Sequence, residues 1–475
     1  VSDADETRLR RTEEAPKTGI VHLGLGAFFR AHGAVYIKQA MARSGGNWGI
    51  VGVSLRSPGI RNLLAPQEGV YTAVELSAQG LKPQSIDVVS DVLVAPENPQ
   101  AVLDAMVDDS VRIVSLTVTE KGYCRGGADG ALDLDHPEIE NDLASNLPKS
   151  AIGFIVRALD NRRRKGLRPF TVLSLDNLPA NGALTRRIVC EMAARVDSDL
   201  ADWIASECCF PCTMVDRIVP AMTPDTIARL HRETGIHDPA AVVHEPFRQW
   251  VIEDSFVDGQ RPEFEAVGAQ LVDDVEPFEN MKLRMLNGTH SAMAYIGSIA
   301  GHDTVEVAIN DPAISAFLDT MWQEEIIPSL VAPPETDLAD YAAALRERYR
   351  NPEIRHLLEQ IAMDGSQKLP QRILDPLFEN LAAGRPAEKL MTVVAAWFRF
   401  LSQRADGEQI NDPISSDLCA AMRGHADDRA LVLGLLSVDQ VFGPYPTDQI
   451  SDALVRRFQA MSVQNIQQDL GKVLS

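Results

Sequence analysis

The sequence predicts an α/β protein: an N-terminal Rossmann-like parallel-sheet domain over residues 1–280, then a mostly α-helical C-terminal domain over residues 281–475. Three observations carry that expectation. Apolar runs of strand length alternate with helical patterns through the first part of the chain, which gives a parallel sheet with helices on both faces. A Gly24-Leu25-Gly26 turn follows the first of those runs. From about Lys282 onward the apolar residues recur almost throughout at helical spacing.

Ile20–Gly24 reads as a buried strand, Ala31–Ala42 as the helix after it, and Gly49–Ser54 as a second strand. Val70–Leu76, Arg112–Val118, Phe170–Leu175 and Met214–Val219 are further strands of the alternating pattern, with helices at Ser150–Arg164 and Leu184–Arg195. In the second part, Asp311-Pro312 and Asn351-Pro352 each pair a capping side chain with proline at the first helical position, a helix start. Helical spacing then covers Leu338–Tyr349, Glu353–Met363, Leu390–Gln403, Ala430–Leu436 and Asp452–Met461. There is no internal repeat.

The 475 residues suffice for two or three domains with full cores, and 45% hydrophobic with 24% charged residues is normal for a globular enzyme. A formal net charge of −22 argues against nucleic acid and anionic membrane as partners, since both need a basic surface. A small anion needs only a local cationic pocket. No apolar run approaches the roughly 18 residues of a membrane span. Val1–Lys17 lacks the apolar core of a signal peptide and reads as a frayed leader, so a cytoplasmic protein is expected. The six cysteines read as reduced thiols. Cys209-x-x-Cys212 has no second pair or histidine at ligand spacing, and no metal is expected. No heptad or interface stripe fixes the assembly state, which is left as monomer or small homo-oligomer.

The densest chemistry lies in Glu279–His290, at the sequence boundary between the two parts. On an α-helical wheel with Lys282 at zero, Glu279 falls near 60°, His290 near 80° and Asn287 near 140°, by about 100° per residue. Met281, Met285, Gly288 and Ala292 fall opposite, where they can pack. A base, an acid, an amide and an imidazole on one face suit a pocket that deprotonates a hydroxyl and holds the oxyanion. A half-exposed helix with ordinary polar residues has the same pattern.

Gly24-Leu25-Gly26, between a strand and a helix, sits where a dinucleotide fingerprint places backbone against a pyrophosphate, although Phe29 occupies the place of the third glycine. The second strand ends in Ser54-Leu55-Arg56-Ser57, with no acid to take a ribose hydroxyl. Arg56 is either solvated or a partner for a 2′-phosphate, so local chemistry leaves NAD and NADP open and leans to NADP. Thr119 and Glu120 follow one strand and Asn177 another, in loops of the kind that line a ligand crevice. Asn177 either donates to a substrate or caps the next helix.

Gly24–His32, Thr119–Tyr123, Ser174–Asn177 and the Lys282/Asn287/His290 spacing resemble the polyol-specific long-chain dehydrogenases, the mannitol dehydrogenase family. The resemblance runs from about Ile20 to the final helices. Phe210–Pro220, Glu245–Asp254 and Met363–Arg372 resemble the family's mannonate-oxidising branch most closely. The resemblance implies a metal-independent enzyme moving a hydride between NAD, NADP not being excluded, and a sugar acid or polyol: D-mannonate to D-fructuronate. It further implies Lys282 as general acid/base, Asn177 and Asn287 as oxyanion donors, and His290 and Lys368 as partners of substrate hydroxyls. Asp216 would be another pocket member and Glu279 a proton relay. Gly24, Gly26, Phe28, Phe29, Arg30, Arg56, Thr119 and Glu120 fall on the cofactor side. A substrate carboxylate is expected to meet Arg372 or Lys368, with Arg248 and Arg217 in reserve. The alternatives are a mannitol or arabinitol dehydrogenase, and a nicotinamide-binding sensor without catalysis.

Overall fold

The structure, a computed structural model, describes residues 9–126, 130–404, 410–424, 427–461 and 466–474. Contacts divide the chain into two compact units, Val1–Glu276 and Pro277–Ser475.

The first unit is built on a five-stranded parallel sheet in the order Val89–Val94, Gly49–Ser54, Thr18–Leu23, Ile113–Leu116, Thr171–Ser174. Side chains alternate between two cores: Val21, Leu23, Val51, Val53, Val114 and Leu116 enter one, and Ile20, Ile50, Ile113 and Leu173 the other. Burial on both faces explains why these strands are unbroken apolar runs rather than alternating ones. The strand order reverses direction between Thr18–Leu23 and Ile113–Leu116, and that switch point opens a crevice at their carboxyl ends.

Two expected strands form but join other sheets. Tyr71–Ser77 pairs antiparallel with Gly80–Ile86 and parallel with Val242–His244. A two-residue turn into Gly80 at φ +103 folds the chain back at once, so the strand pairs with its sequence neighbour. Thr213–Asp216 pairs with Gln249–Glu253, which pairs with Gln270–Val272. The helix expected over Ala31–Ala42 is two helices, Ala27–Ala31 and Gly33–Ser44, broken where the buried His32 leaves helical geometry and its Nε2 meets the Gln249 carbonyl at 3.0 Å. The leader expectation also needs correction. Residues 1–8 lie outside the described residues, but Arg11 is pinned to the sheet edge, donating to the Asp87 and Val89 carbonyls at 2.6 Å each.

The second unit is helical. Gly288–Ile299 and Glu388–Ser402, both almost wholly buried, pack against each other. The latter starts on a remote carboxylate: buried Glu325 accepts from the Lys389 and Leu390 amides at 2.8 Å each. Asp311 caps Pro312–Met321 as expected. Asn351-Pro352 starts no helix. Asn351 instead closes a turn onto the Glu353 amide, and an antiparallel bridge from Leu357 to Thr304 holds the chain extended, leaving only Leu358–Ala362 helical. Among the described residues of this unit are π-helical turns at Lys282–Asn287, Trp322–Ile326 and Pro370–Leu374, the first packed against the other two. Among the described residues no helix is long and apolar enough to cross a membrane.

Candidate active site

In the first unit the turn after the first strand is built for close backbone approach. Gly24 has φ +92, and a Cβ there would lie 2.2 Å from the Thr117 carbonyl oxygen. Its amide donates to Val53 at 2.9 Å. Beneath it lies buried His22, with Nδ1 2.8 Å from Ser115 Oγ, Nε2 3.0 Å from Thr117 Oγ1, and its ring stacked on Phe29 at 3.3 Å between centroids. Thr117 Oγ1 donates to the Gly24 carbonyl at 2.7 Å. Burial pushes the His22 imidazole down to about 3, so it is neutral at physiological pH.

A cavity of about 350 Å³ opens over this turn, lined by Gly24, Gly26, Ser54, Arg56, Thr119, Glu138 and Lys149 among others. Among the described residues the buried Ser54 Oγ has no hydrogen-bond partner. These features fit a dinucleotide: a glycine turn at a switch point, an open pocket, and an unsatisfied hydroxyl on its wall. Phe28, Phe29 and Arg30 do not line the cavity. Phe28 stacks on His32 at 5.1 Å, and Arg30 bonds the Ala240 carbonyl with its guanidinium over the Tyr71 ring. Glu120 is exposed and pairs with Arg125.

The loops carrying Thr119 and Asn177 are joined by Asp176, which sequence reasoning passed over. Its buried carboxylate accepts from the Val118 amide (3.0 Å), the Thr119 amide (2.9 Å) and the Tyr123 hydroxyl (2.9 Å). Burial raises its pKa, and those three donors oppose the rise. Asn177 is exposed beside it. Asn177 does not cap the next helix, which starts after Ala180 without a side-chain cap. Asp216 is buried at the end of its strand. The reserve cations serve structure: Arg217 donates to the Ala31 carbonyl at 2.6 Å, and Arg248 lies 4.2 Å over the Tyr36 ring.

In the second unit Lys282 is 8% exposed and opens the π-helical turn, which Asn287 closes. Half-buried Glu279 precedes it, and His290 lies in the helix that continues it. The turn corrects the α-helical wheel. Its i→i+5 bonding takes fewer degrees per residue, so the predicted angles do not carry across from Glu279 and Lys282 to Asn287 and His290. The packing side holds: Met281, Met285, Gly288 and Ala292 are buried. A π-turn leaves carbonyls to be satisfied from outside the ladder, and here they are. Trp322 Nε1 donates to Met285 at 3.1 Å, Thr289 Oγ1 to Met285 at 2.6 Å, and the Tyr349 hydroxyl to Leu286 at 3.1 Å.

His290 is buried against Tyr349 (4.9 Å) and His356 (5.1 Å), and its Nε2 has no partner among the described residues. Burial first, then His356, Arg348 and Arg372, holds it well below its ordinary pKa, so the ring is neutral. The Tyr295 hydroxyl and Arg372 Nε are likewise buried and unpaired. Among the described residues Arg372 makes one side-chain hydrogen bond, to Ser291 Oγ at 3.3 Å, and pairs with no carboxylate. Burial brings it down to about 10, still protonated at neutral pH. Lys368 donates to the Met363 carbonyl at 2.6 Å, and its pKa is lowered by burial and then by Arg372.

Family models match both units: the mannitol dehydrogenase Rossmann domain over residues 18–266 and the mannitol dehydrogenase C-terminal domain over residues 274–462. The chain belongs to the mannitol dehydrogenase family. It is therefore an oxidoreductase acting on a secondary alcohol. It is 45% identical to the D-mannonate oxidoreductase of Escherichia coli strain K12, over 88% of each chain. It is 41% identical to the mannitol 2-dehydrogenase of Aspergillus terreus, over 90% of this chain and 87% of the other. The solved Pseudomonas fluorescens mannitol 2-dehydrogenase ternary complex with NAD and D-mannitol superposes with a TM-score of 0.83 at 38% identity, covering 97% of this chain and 94% of that one.

Within this mannitol dehydrogenase fold, the residues missed from sequence are those whose role depends on distant partners. Ser54, Glu138, Asp176 and Tyr295 match no local motif. Only Asp176 carried a signal: an acid just past a strand end can bind the amides of the neighbouring loop.

Proposed function

We propose that this chain is an NAD-linked dehydrogenase that interconverts D-mannonate and D-fructuronate without a metal. The observation that carries the acid-sugar reading is Arg372, a buried cation that no carboxylate among the described residues neutralises. A buried charge is tolerable when a ligand completes it, and a guanidinium fork matches a carboxylate with two hydrogen bonds. His290 Nε2 and the Tyr295 hydroxyl, unpaired in the same unit, suit the hydroxyls of a sugar chain. Such unsatisfied groups cost about 1–3 kcal/mol each until a ligand fills them.

Gly24 and Gly26 would hold a nicotinamide dinucleotide, whose chemistry would be to accept a hydride from the carbinol carbon or to return one in the reverse direction. Lys282 removes the hydroxyl proton and gives it back in the reduction. Asn177 and Asn287 donate to the oxygen as negative charge develops on it. Losing one such donor costs on the order of 3 kcal/mol of barrier. His290 and Lys368 hold further hydroxyls, Asp216 completes the pocket, and Glu279 passes the proton toward solvent. Gly24 and Gly26 admit the pyrophosphate.

A second reading, a neutral-polyol dehydrogenase, is favoured by the similarity to mannitol 2-dehydrogenases at 41% and 38% identity. Initial rates on D-mannonate, D-altronate, D-mannitol and D-arabinitol, each with NAD and NADP, decide between them. The proposal expects mannonate with NAD to exceed mannitol by at least an order of magnitude in kcat/KM. The reverse order would establish the polyol reading, and nicotinamide binding with no turnover on any sugar would mark a sensor.

A further inference from the structure

The second strand ends without the acid that usually takes the adenosine ribose hydroxyls, and it offers Arg56 instead. Taken alone, that cation invites a 2′-phosphate. The structure brings a carboxylate from elsewhere to the same cavity. Glu138, near the start of helix Pro137–Ala144, lines it and forms an ion pair with Arg56. The two partners are unequal: the Glu138 side chain is 18% exposed and that of Arg56 is 70%. The carboxylate is the anchored member, set by its helix, whose cap is the His136 ring accepting from the Glu138 amide at 3.3 Å. The arginine is the solvent-exposed member. On the same wall the buried Ser54 Oγ has no partner, an unsatisfied group suited to a ribose hydroxyl.

We infer that Glu138 selects an unphosphorylated adenosine ribose, doing from helix Pro137–Ala144 what a strand-end acid would otherwise do. The inference rests on the nicotinamide-dinucleotide reading given above. An ionised carboxylate only accepts hydrogen bonds, so Glu138 can hold Arg56 with one oxygen and take a ribose hydroxyl with the other. A 2′-phosphate brings about −1.5 to −2 charges, repels Glu138, and must strip Arg56 from it before using that cation. Lys149 also lines the cavity, so the lining is not acidic overall. The discrimination therefore turns on the occupation of Arg56 rather than on net charge.

The test is titration of NADH and NADPH by nicotinamide fluorescence against wild type, Glu138→Gln, Glu138→Asp, Arg56→Ala and the Glu138→Gln/Arg56→Ala pair. Wild type should bind NADH more tightly. Glu138→Gln should lower the NADPH Kd about tenfold or more and raise that of NADH about tenfold, the weight of a charge-assisted hydrogen bond. The paired variant should lose the NADPH gain, and Glu138→Asp should keep the NADH preference. A Glu138→Gln variant whose NADPH/NADH Kd ratio stays within about twofold of wild type, with NADH still bound, overturns the role of Glu138 alone. Wild type that prefers NADPH overturns it too. Wild type that binds neither dinucleotide sinks the cofactor reading beneath it.

Discussion

Around Gly24 the supporting side chains bond to one another: His22 to Ser115 and Thr117, Thr117 to the turn itself, and Asp176 to two amides and Tyr123. Around His290 the pattern is open, with His290 Nε2, the Tyr295 hydroxyl and Arg372 Nε all buried and unpaired. A closed network fixes the shape of a backbone that a ligand will touch through main-chain groups. An open set stores binding capacity that only a ligand with its own hydroxyls and charge can use. The Gly24 turn is thus held by its own side chains, with the Ser54 hydroxyl left open on the cavity wall, while around His290 an imidazole, a hydroxyl and a guanidinium nitrogen are left open together.

The largest test of that contrast is Lys282→Ala. Turnover should fall by about 10²- to 10⁴-fold, the range of a lost general acid/base, while the NADH Kd stays within about twofold. Retention of most of the activity would dismiss lysine catalysis. Next is Arg372→Ala, which should lower kcat/KM for mannonate about a hundredfold and for mannitol less than about fivefold, since only the former has a charge to lose. Equal losses on both substrates would return Arg372 to a structural role.

Acid should act on both units. His22, His32 and His244 in the first, and His290 and His356 in the second, are held below their ordinary pKa chiefly by burial, His22 and His32 down to about 3 and His244 to about 4. Below pH 6.5 the unfolded chain binds protons that the folded chain refuses. Stability is therefore full above about pH 6.5 and is lost as pH falls toward the folded values. By pH 5 the loss is at most about 2 kcal/mol for each such histidine. Urea midpoints measured from pH 7.5 to 5 should decline, and a flat profile would contradict neutral buried imidazoles. The smallest effect is expected of Asp176→Asn. Its lost acceptor should raise the NADH Kd about tenfold with little change in kcat at saturation. A fall in kcat instead would place Asp176 among the reacting groups.

Much of this was legible in the chain. The parallel sheet showed because strands buried on both faces read as unbroken apolar runs, and Gly24 showed because a strand–glycine–helix context is local. Lys282, Asn287 and His290 stood out because their residue types clash with the apolar run around them. What escaped had a distant cause. Tyr71–Ser77 has ordinary strand character, and its sheet is chosen by the turn before Gly80. Asn351-Pro352 has a good helix start, and a bridge to Thr304 overrides it. Glu138 lies far along the chain from Arg56, and no spacing rule joins them.

The π-turn at Lys282–Asn287 amounts to one surplus residue in an otherwise regular rod. Deleting a single residue there would let ordinary helical bonding resume. Everything upstream of the deletion, the amine included, would then rotate out of phase with Asn287 and His290. Such a shortened protein should be inert, and it should also melt lower, because buried Phe278 and Met281 would turn with the amine off the packed face; the irregularity sets a phase that the core and the polar face share.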